Sequence, residues 1–351
     1  MEKLEKITRR NFIVLTGGAA AIALSYPAYN LAKRPRRIIT FEQALAEPSL
    51  RQTYIDELVR MEFGQEAFKY VKNFIYDHDG SKARDESLPF LYQKLRDTSV
   101  DVQIQKVIKS RIGINNLVEL YSFDNRFSFG DEEKRRMEII NFVNTPEGFA
   151  DIKKLMWERA LKDLLKYEVE YSLAGTVNYK INFGKSEKSN IYLYHSLFES
   201  SEEVFDRVKF TIHPSEEGIL GTLRHEYKHA LHHFAGVDLG DGLVINATNY
   251  LDIHPFVSEF IEHSLAEMEG INRVKRYNRF FGSPLQRYHN SYIGFVINFN
   301  WGYKGMAKEL AAEEDLADYE KRLIKKHLIV LGSALQETSS VLQNVKAAAK
   351  K

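Results

Sequence analysis

The chain has 351 residues and carries 49 basic against 48 acidic side chains. The resulting net charge of +1 gives no general reason to expect a nucleic acid as partner. The chain contains no cysteine, which excludes disulfides, thiolate metal ligands and a cysteine nucleophile. Any metal must therefore be held by His, Asp or Glu.

The first thirty residues have the pattern of an export signal. The pair Arg9-Arg10 is followed by Phe12 and by a short, mildly apolar stretch that ends near residue 28. This pattern resembles a twin-arginine signal, a type that exports folded proteins. The stretch is short for a membrane span of about 20 residues, and a retained anchor or a buried helix are the alternatives. We expect residues 1–30 to be a signal or anchor and the protein to be periplasmic or extracellular, with membrane attachment only through an uncleaved signal.

Residues 31–170 form a predicted helical lobe. Apolar positions recur at helical spacing from Thr40 to Ile75, and a polar loop containing glycine follows at 76–81. Four further helices are predicted in this lobe, at 88–95, 102–112, 131–143 and 146–167.

Residues 171–345 form a second predicted region, which begins with a small sheet. Strands are predicted at 177–183, 191–194 and 208–212. Helices are predicted at 219–234, 255–268 and 272–281 and as one long run over 306–345, followed by a frayed tail at 346–351. We predict an α+β fold that is mostly helical, with a small mixed or antiparallel sheet packed on the helix at 219–234.

That helix contains the motif His225-Glu226-Tyr227-Lys228-His229. Two histidines four residues apart lie on one helix face, so both imidazoles can reach one metal ion. Glu226 follows the first histidine and can reach a water on that metal. Two nitrogen ligands, an open water position and a carboxylate base are what zinc-dependent hydrolysis requires. We therefore predict one Zn²⁺ per chain, with His225 and His229 as ligands and Glu226 as general base.

The third ligand does not follow the pattern in which a third histidine closes the motif. His232 stands where that pattern has glycine, and Ala235 stands where it has the last histidine. A carboxylate from the next helix is the alternative, and Glu259 and Glu262 lie on that helix.

At these residues the chain resembles the gluzincins, zinc metallopeptidases whose third ligand is a glutamate on a second helix. The resemblance covers about residues 220–270. It implies a zincin-like fold, peptide or protein substrates, and Glu259 in the pair Ser258-Glu259 as third ligand, with Glu262 as second choice. In the thermolysin-like branch an acid four residues after the ligand supports a zinc histidine. Here that position is His263, a departure from the pattern.

The resemblance also implies a hydrogen-bond donor for the oxyanion, downstream of the third ligand. Tyr292 and His289 are the candidates, and packing of these rings is the alternative. His232 and His233 are predicted to stay outside the metal's immediate ligands, and His254 to cap the helix that follows it. A strand at 191–194 or 208–212 could bind a substrate backbone by strand addition.

Three functions compete on these residues. The first is hydrolysis of peptide bonds by a secreted zinc metallopeptidase. The second is a non-catalytic, metal-stabilised binding or scaffold protein on the same fold, which an intact Glu226 disfavours. The third is a di-iron carboxylate protein, because Glu226-x-x-His229 is also the unit of such bundles. A second Glu-x-x-His is missing from the following helix, where Glu259-x-x-Glu262 lacks the histidine.

Overall fold

The computed structural model describes most of the chain after the predicted signal. The described residues are 38–86, 98–121, 124–128, 130–162, 174–177, 188–205, 208–246, 249, 252–281 and 290–349. The predicted signal at 1–30 and the predicted helix at 88–95 lie outside them. No helix among the described ranges is both long and apolar enough to span a membrane.

The chain divides into two compact units, residues 1–57 and 58–351. In the first unit, helix α1 (Phe41–Ala46) begins at Thr40, which forms a capping box with Gln43. The side chain of Arg51 donates a hydrogen bond to the carbonyl of Ala44 at 3.1 Å. Helix α2 (Arg51–Phe63) runs across the division at Glu57.

The second unit contains a three-stranded mixed sheet. Its strands are β1 (Val71–Tyr76), β2 (Ala174–Val177) and β3 (Ser189–Leu193), in the order β1-β3-β2. The central strand β3 is parallel to β1 and antiparallel to β2, and it is buried along its whole length. The predicted strand at 191–194 is thus confirmed as β3, and the prediction of a mixed sheet is confirmed with it.

Strand β1 corrects the predicted helix that ran to Ile75. Its apolar residues are β-branched or aromatic, and pairing with β3, more than a hundred residues later, outweighs the local helical spacing. This pairing also joins the predicted N-terminal lobe to the predicted second region. The predicted boundary at 170/171 lies outside the described residues.

Two small ladders complete the β structure. Strands β4 (Ser201–Phe205) and β5 (Val208–Ile212) form an antiparallel hairpin, as do β6 (Val237–Asp238) and β7 (Val244–Ile245). The strand predicted at 208–212 is confirmed as β5. Of the strand predicted at 177–183, only Val177 is described, as the end of β2.

Four of the helices that follow β1 in the sequence and precede β2 share a small apolar core. They are α3 (Thr98–Lys109), α4 (Arg111–Leu120), α5 (Glu132–Val143) and α6 (Pro146–Lys162). The helix predicted at 102–112 is in fact two, because Ser110 ends α3 and caps α4 by accepting a hydrogen bond from the amide of Gly113 at 3.0 Å. The predictions at 131–143 and 146–167 are confirmed as far as these residues are described.

The last four helices are α7 (Glu216–Ala235), α8 (Pro255–Phe281), α9 (Asn290–Ala311) and α10 (Asp318–Ala349). Helices α8, α9 and α10 enclose the largest core, and α7 packs on α8 and on strands β2 and β3. The helices predicted at 255–268 and 272–281 are one continuous helix. The long run predicted at 306–345 is two helices, because Glu320 accepts a hydrogen bond from the amide of Ala317 and so caps the start of α10.

Helices α7 and α8 cross closely at two glycines. A Cβ atom on Gly270 would lie 3.2 Å from the carbonyl oxygen of Gly221. A Cβ atom on Gly221 would lie 2.6 Å from Cγ2 of Val274 and 2.9 Å from Cε2 of Phe295. Val274 is fully buried. This crossing lies one helical turn before His225 and sets how near α8 comes to the motif.

We expect Gly221→Ala to lower the free energy of unfolding by about 1–3 kcal/mol, the usual cost of overpacking a core. In an open helix the same change gains up to about 1 kcal/mol, because glycine is a poor helix former. Gly332→Ala in α10 is the matched control, because no atom lies within 4 Å of its Cβ position. Urea denaturation of both variants measures the difference. A Gly221→Ala variant as stable as the control would contradict the close crossing.

Candidate metal centre

Helix α7 places His225 and His229 one turn apart on the same face. Their Nε2 atoms lie 3.1 Å apart. Two nitrogens bound to one tetrahedral zinc ion at its usual bond length are separated by about 3.3 Å. The observed separation also allows a hydrogen bond when one of the two nitrogens carries a proton. The two imidazoles are therefore spaced as a pair of zinc ligands.

Burial sets the protonation of His229. It holds the pKa of this imidazole well below the ordinary value, with further lowering by the neighbouring His225, His263 and His232. The ring is therefore neutral near pH 7, and the neutral imidazole is the form that binds a metal.

The pKa of His225 moves in the other direction. Burial alone would lower it, but the carboxylates of Glu267 and Glu226 outweigh burial and raise it. The Nδ1 atom of His225 lies 2.9 Å from Oε2 of Glu267. This contact is an ion pair when the imidazole is protonated.

Glu226 is buried, at 7% exposure, beside the paired imidazoles. Its Oε1 atom lies 3.9 Å from Nε2 of His225. The carboxylate is thus within one water molecule's reach of Nε2 of His225.

Helix α8 runs antiparallel to α7 across this site. Glu267 lies against His225, and one turn earlier on α8 the ring of His263 packs against the ring of His229. The ring centroids of His229 and His263 are 4.6 Å apart at 66°. Going one turn towards the C-terminus of α7, from His225 to His229, therefore corresponds to going one turn towards the N-terminus of α8, from Glu267 to His263.

The structure does not bring the predicted third ligand to the histidine pair. Glu259 is exposed and lies one turn before His263. Burial lowers the pKa of His263, and the charge of Glu259 opposes that lowering in part. Glu262 is half-buried, and burial followed by the charge of Glu259 raises its pKa to about 7. Within the described ranges, no three His, Asp or Glu side chains converge as a finished metal site.

The two predicted oxyanion donors have different outcomes. His289 lies outside the described residues. Tyr292 is buried in the core of helices α8, α9 and α10, where it lines a small cavity together with Met268 and Lys275. Packing accounts for this placement.

Sequence reasoning missed Glu267 and Tyr303. Tyr303, on α9, is half-buried, and burial followed by the charges of Glu267 and Glu259 raises its pKa. Its phenol therefore lies near the carboxylates of α8. Glu267 lies four residues after His263, the same spacing that separates Glu259 from His263, and this repeat could have indicated it. Tyr303 had no signal in the sequence.

The remaining predicted histidines lie around the pair. His232 is buried, and burial, followed by Lys228 and His263, lowers its pKa to about 3. His233 is half-buried and contacts the ring of Phe234 edge-on. His254 precedes α8, and its Nδ1 accepts a hydrogen bond from the amide of Phe256 at 3.3 Å, which fits the predicted cap.

An ion-pair cluster fixes α7 and α8 beside the site. Oε1 of Glu62, at the end of α2, accepts hydrogen bonds from Nε of Arg224 at 2.9 Å and from Nε of Arg273 at 2.7 Å. Arg224 precedes His225, and Arg273 lies on α8 beyond Glu267. The cluster thus ties both helices to α2 near the level at which His225 meets Glu267.

Comparison with known proteins returned no relative. No protein-family model, no curated protein and no solved structure matches the chain. The function must therefore be inferred from the chemistry and geometry of the residues around His225 and His229.

Proposed function

We propose that the protein is a zinc-dependent peptidase whose metal is bound by His225 and His229 and whose general base is Glu226. The observation that carries the proposal is the 3.1 Å separation of the two Nε2 atoms on α7. A buried carboxylate 3.9 Å from one of them supports it. A zincin-like fold is part of the proposal and is supported by the antiparallel helix pair and by the mixed sheet packed on α7.

Each residue has a defined task in this proposal. His229, kept neutral by burial, offers Nε2 to the metal, and His225 offers Nε2 while its Nδ1 faces Glu267. A bound zinc ion would lower the pKa of a water molecule and polarise the scissile carbonyl. Glu226 would take a proton from that water and deliver it to the leaving amine.

Substrate binding by strand addition is restricted by the sheet. Strand β3 contains most of the segment predicted at 191–194, and it is flanked on both sides by β1 and β2. It therefore has no free edge for a peptide. Of the two predicted segments, β5 remains, because in its described hairpin it pairs only with β4.

The proposal is tested by the metal content of the full-length chain, measured by native mass spectrometry after zinc loading. We expect one zinc per wild-type chain and none in His229→Ala, because one nitrogen ligand is removed. His213→Ala is the matched control, since this exposed histidine lies just before α7. A wild-type chain without zinc under metal-replete conditions would reject the proposal.

The competing hypothesis is a metal-stabilised scaffold protein without catalysis. It shares the zinc content with the peptidase but not the turnover. A chain that binds one zinc and cleaves no member of a peptide library would favour the scaffold.

A further inference from the structure

We propose that His263 is the third metal ligand in place of Glu259, and that Glu267 is a positioning residue that orients His225. This inference rests on the proposed zinc site at His225 and His229. It names the residues that complete and support that site.

Each neighbouring pair of the three imidazoles is spaced as two ligands of one ion. Two imidazoles on one tetrahedral zinc have ring centroids about 5 Å apart. The centroids of His225 and His229 are 4.8 Å apart, and those of His229 and His263 are 4.6 Å apart. His229 is thus the middle of a row of three rings across the α7–α8 boundary.

His263 has the freedom that completing the site requires. Its side chain is exposed at the surface of α8, so its imidazole can change rotamer without displacing core residues. The described nitrogens do not converge on one point, so the inference requires a rotamer change of His263 that brings its imidazole to the metal.

Glu259 is displaced from the row by helix geometry. It lies four residues before His263, which is about 6 Å along the axis of α8. Because α7 and α8 are antiparallel, Glu259 lies beyond His229 in the direction of the end of α7. Its charge reaches His263, Glu262 and Tyr303 on the α8–α9 side.

Glu267 is placed to hold the imidazole of His225 in orientation. Its Oε2 atom lies 2.9 Å from Nδ1 of His225, and its side chain is only 12% exposed. A carboxylate beside Nδ1 favours the proton on that nitrogen and leaves Nε2 free to bind the metal. Partners of this kind typically change metal affinity by about 10–100-fold.

The test measures the zinc affinity of the full-length chain by competition with a chelator, together with the thermal stability of the metal-free protein. We expect His263→Ala to lose zinc as His229→Ala does, and Glu259→Ala to keep it. His263→Glu should recover binding, because it restores a ligand at the same position. Glu267→Gln should weaken binding about 10–100-fold at unchanged metal-free stability. Glu269→Gln, half-buried on the same helix, should match the wild type.

The outcomes separate the inference from the proposal on which it rests. If the wild type binds zinc and His229→Ala does not, but His263→Ala still binds, the third ligand is another residue and the inference is overturned. Loss of zinc in Glu259→Ala alone would then restore the ligand predicted from the sequence. A wild type that binds no zinc would reject the metal site itself. Equal zinc affinity in Glu267→Gln and Glu269→Gln would overturn the positioning role.

Discussion

Glu226→Gln is expected to abolish peptide hydrolysis while the chain keeps one zinc. The amide has the shape of the carboxylate but cannot accept a proton, and neither imidazole proposed to bind the metal is changed. Loss of a general base typically costs about 10²–10⁴-fold in rate. Glu226 is buried, and its Oε1 lies 3.9 Å from Nε2 of His225.

Cleavage of a peptide library, followed by mass spectrometry, measures this loss in parallel with the zinc content. Glu217→Gln is the matched control, because Glu217 is half-buried on the same helix, more than two turns before Glu226. The control should keep full activity. A Glu226→Gln variant that cleaves peptides at the wild-type rate with one zinc bound would remove Glu226 from the mechanism.

The helical elements with strong local signals were predictable from the sequence. Helix α5 begins after Asp131, whose side chain accepts a hydrogen bond from the amide of Lys134, and α7 begins after Ser215, which caps it in the same way. The mostly helical α+β character follows from such elements. Strand β1 was not predictable, because its partner β3 lies more than a hundred residues away and local spacing carries no information about that pairing.

The candidate site was predictable only within one helix. The spacing of His225 and His229 places both rings on one face whatever the rest of the fold, so the pair could be inferred locally. Which residue of α8 faces them depends on the axial register of two packed helices. That register is set by the glycine crossing at Gly221 and Gly270 and by the arginines on Glu62, and none of these contacts has a local signature.

The resemblance to the gluzincins supplied a spacing but not a register. A ligand followed four residues later by a supporting acid describes His263 and Glu267 better than Glu259 and His263. When Glu259 is taken as the ligand, the position four residues later, where the acid is expected, is His263. When His263 is taken as the ligand instead, one turn later on α8, the position of the acid is Glu267, which lies against His225. A one-turn difference of this kind can be decided only by the packing of α7 on α8.

The second large effect is expected at Glu62. Its carboxylate binds Arg224 through Oε1 and Arg273 through both oxygens, the second at 3.0 Å. The side chains of Glu62 and Arg273 are only 14% and 18% exposed. Glu62→Gln removes the charge and leaves two poorly hydrated guanidinium groups facing each other. We expect the free energy of unfolding to fall by about 2–4 kcal/mol, somewhat less than for a fully buried pair.

Urea denaturation of the metal-free chain checks this value, with Asp241→Asn as the matched control. Asp241 pairs with Lys326 but its side chain is 76% exposed, and asparagine tolerates its positive φ of 56°. The control should cost less than about 1 kcal/mol, as exposed ion pairs do. Since Glu62 ties α7 and α8 together near the level at which His225 meets Glu267, zinc affinity should fall in Glu62→Gln and stay unchanged in the control. Equal losses of stability in the two variants would mean that the cluster is an ordinary surface ion pair and that other contacts set the register of α7 on α8.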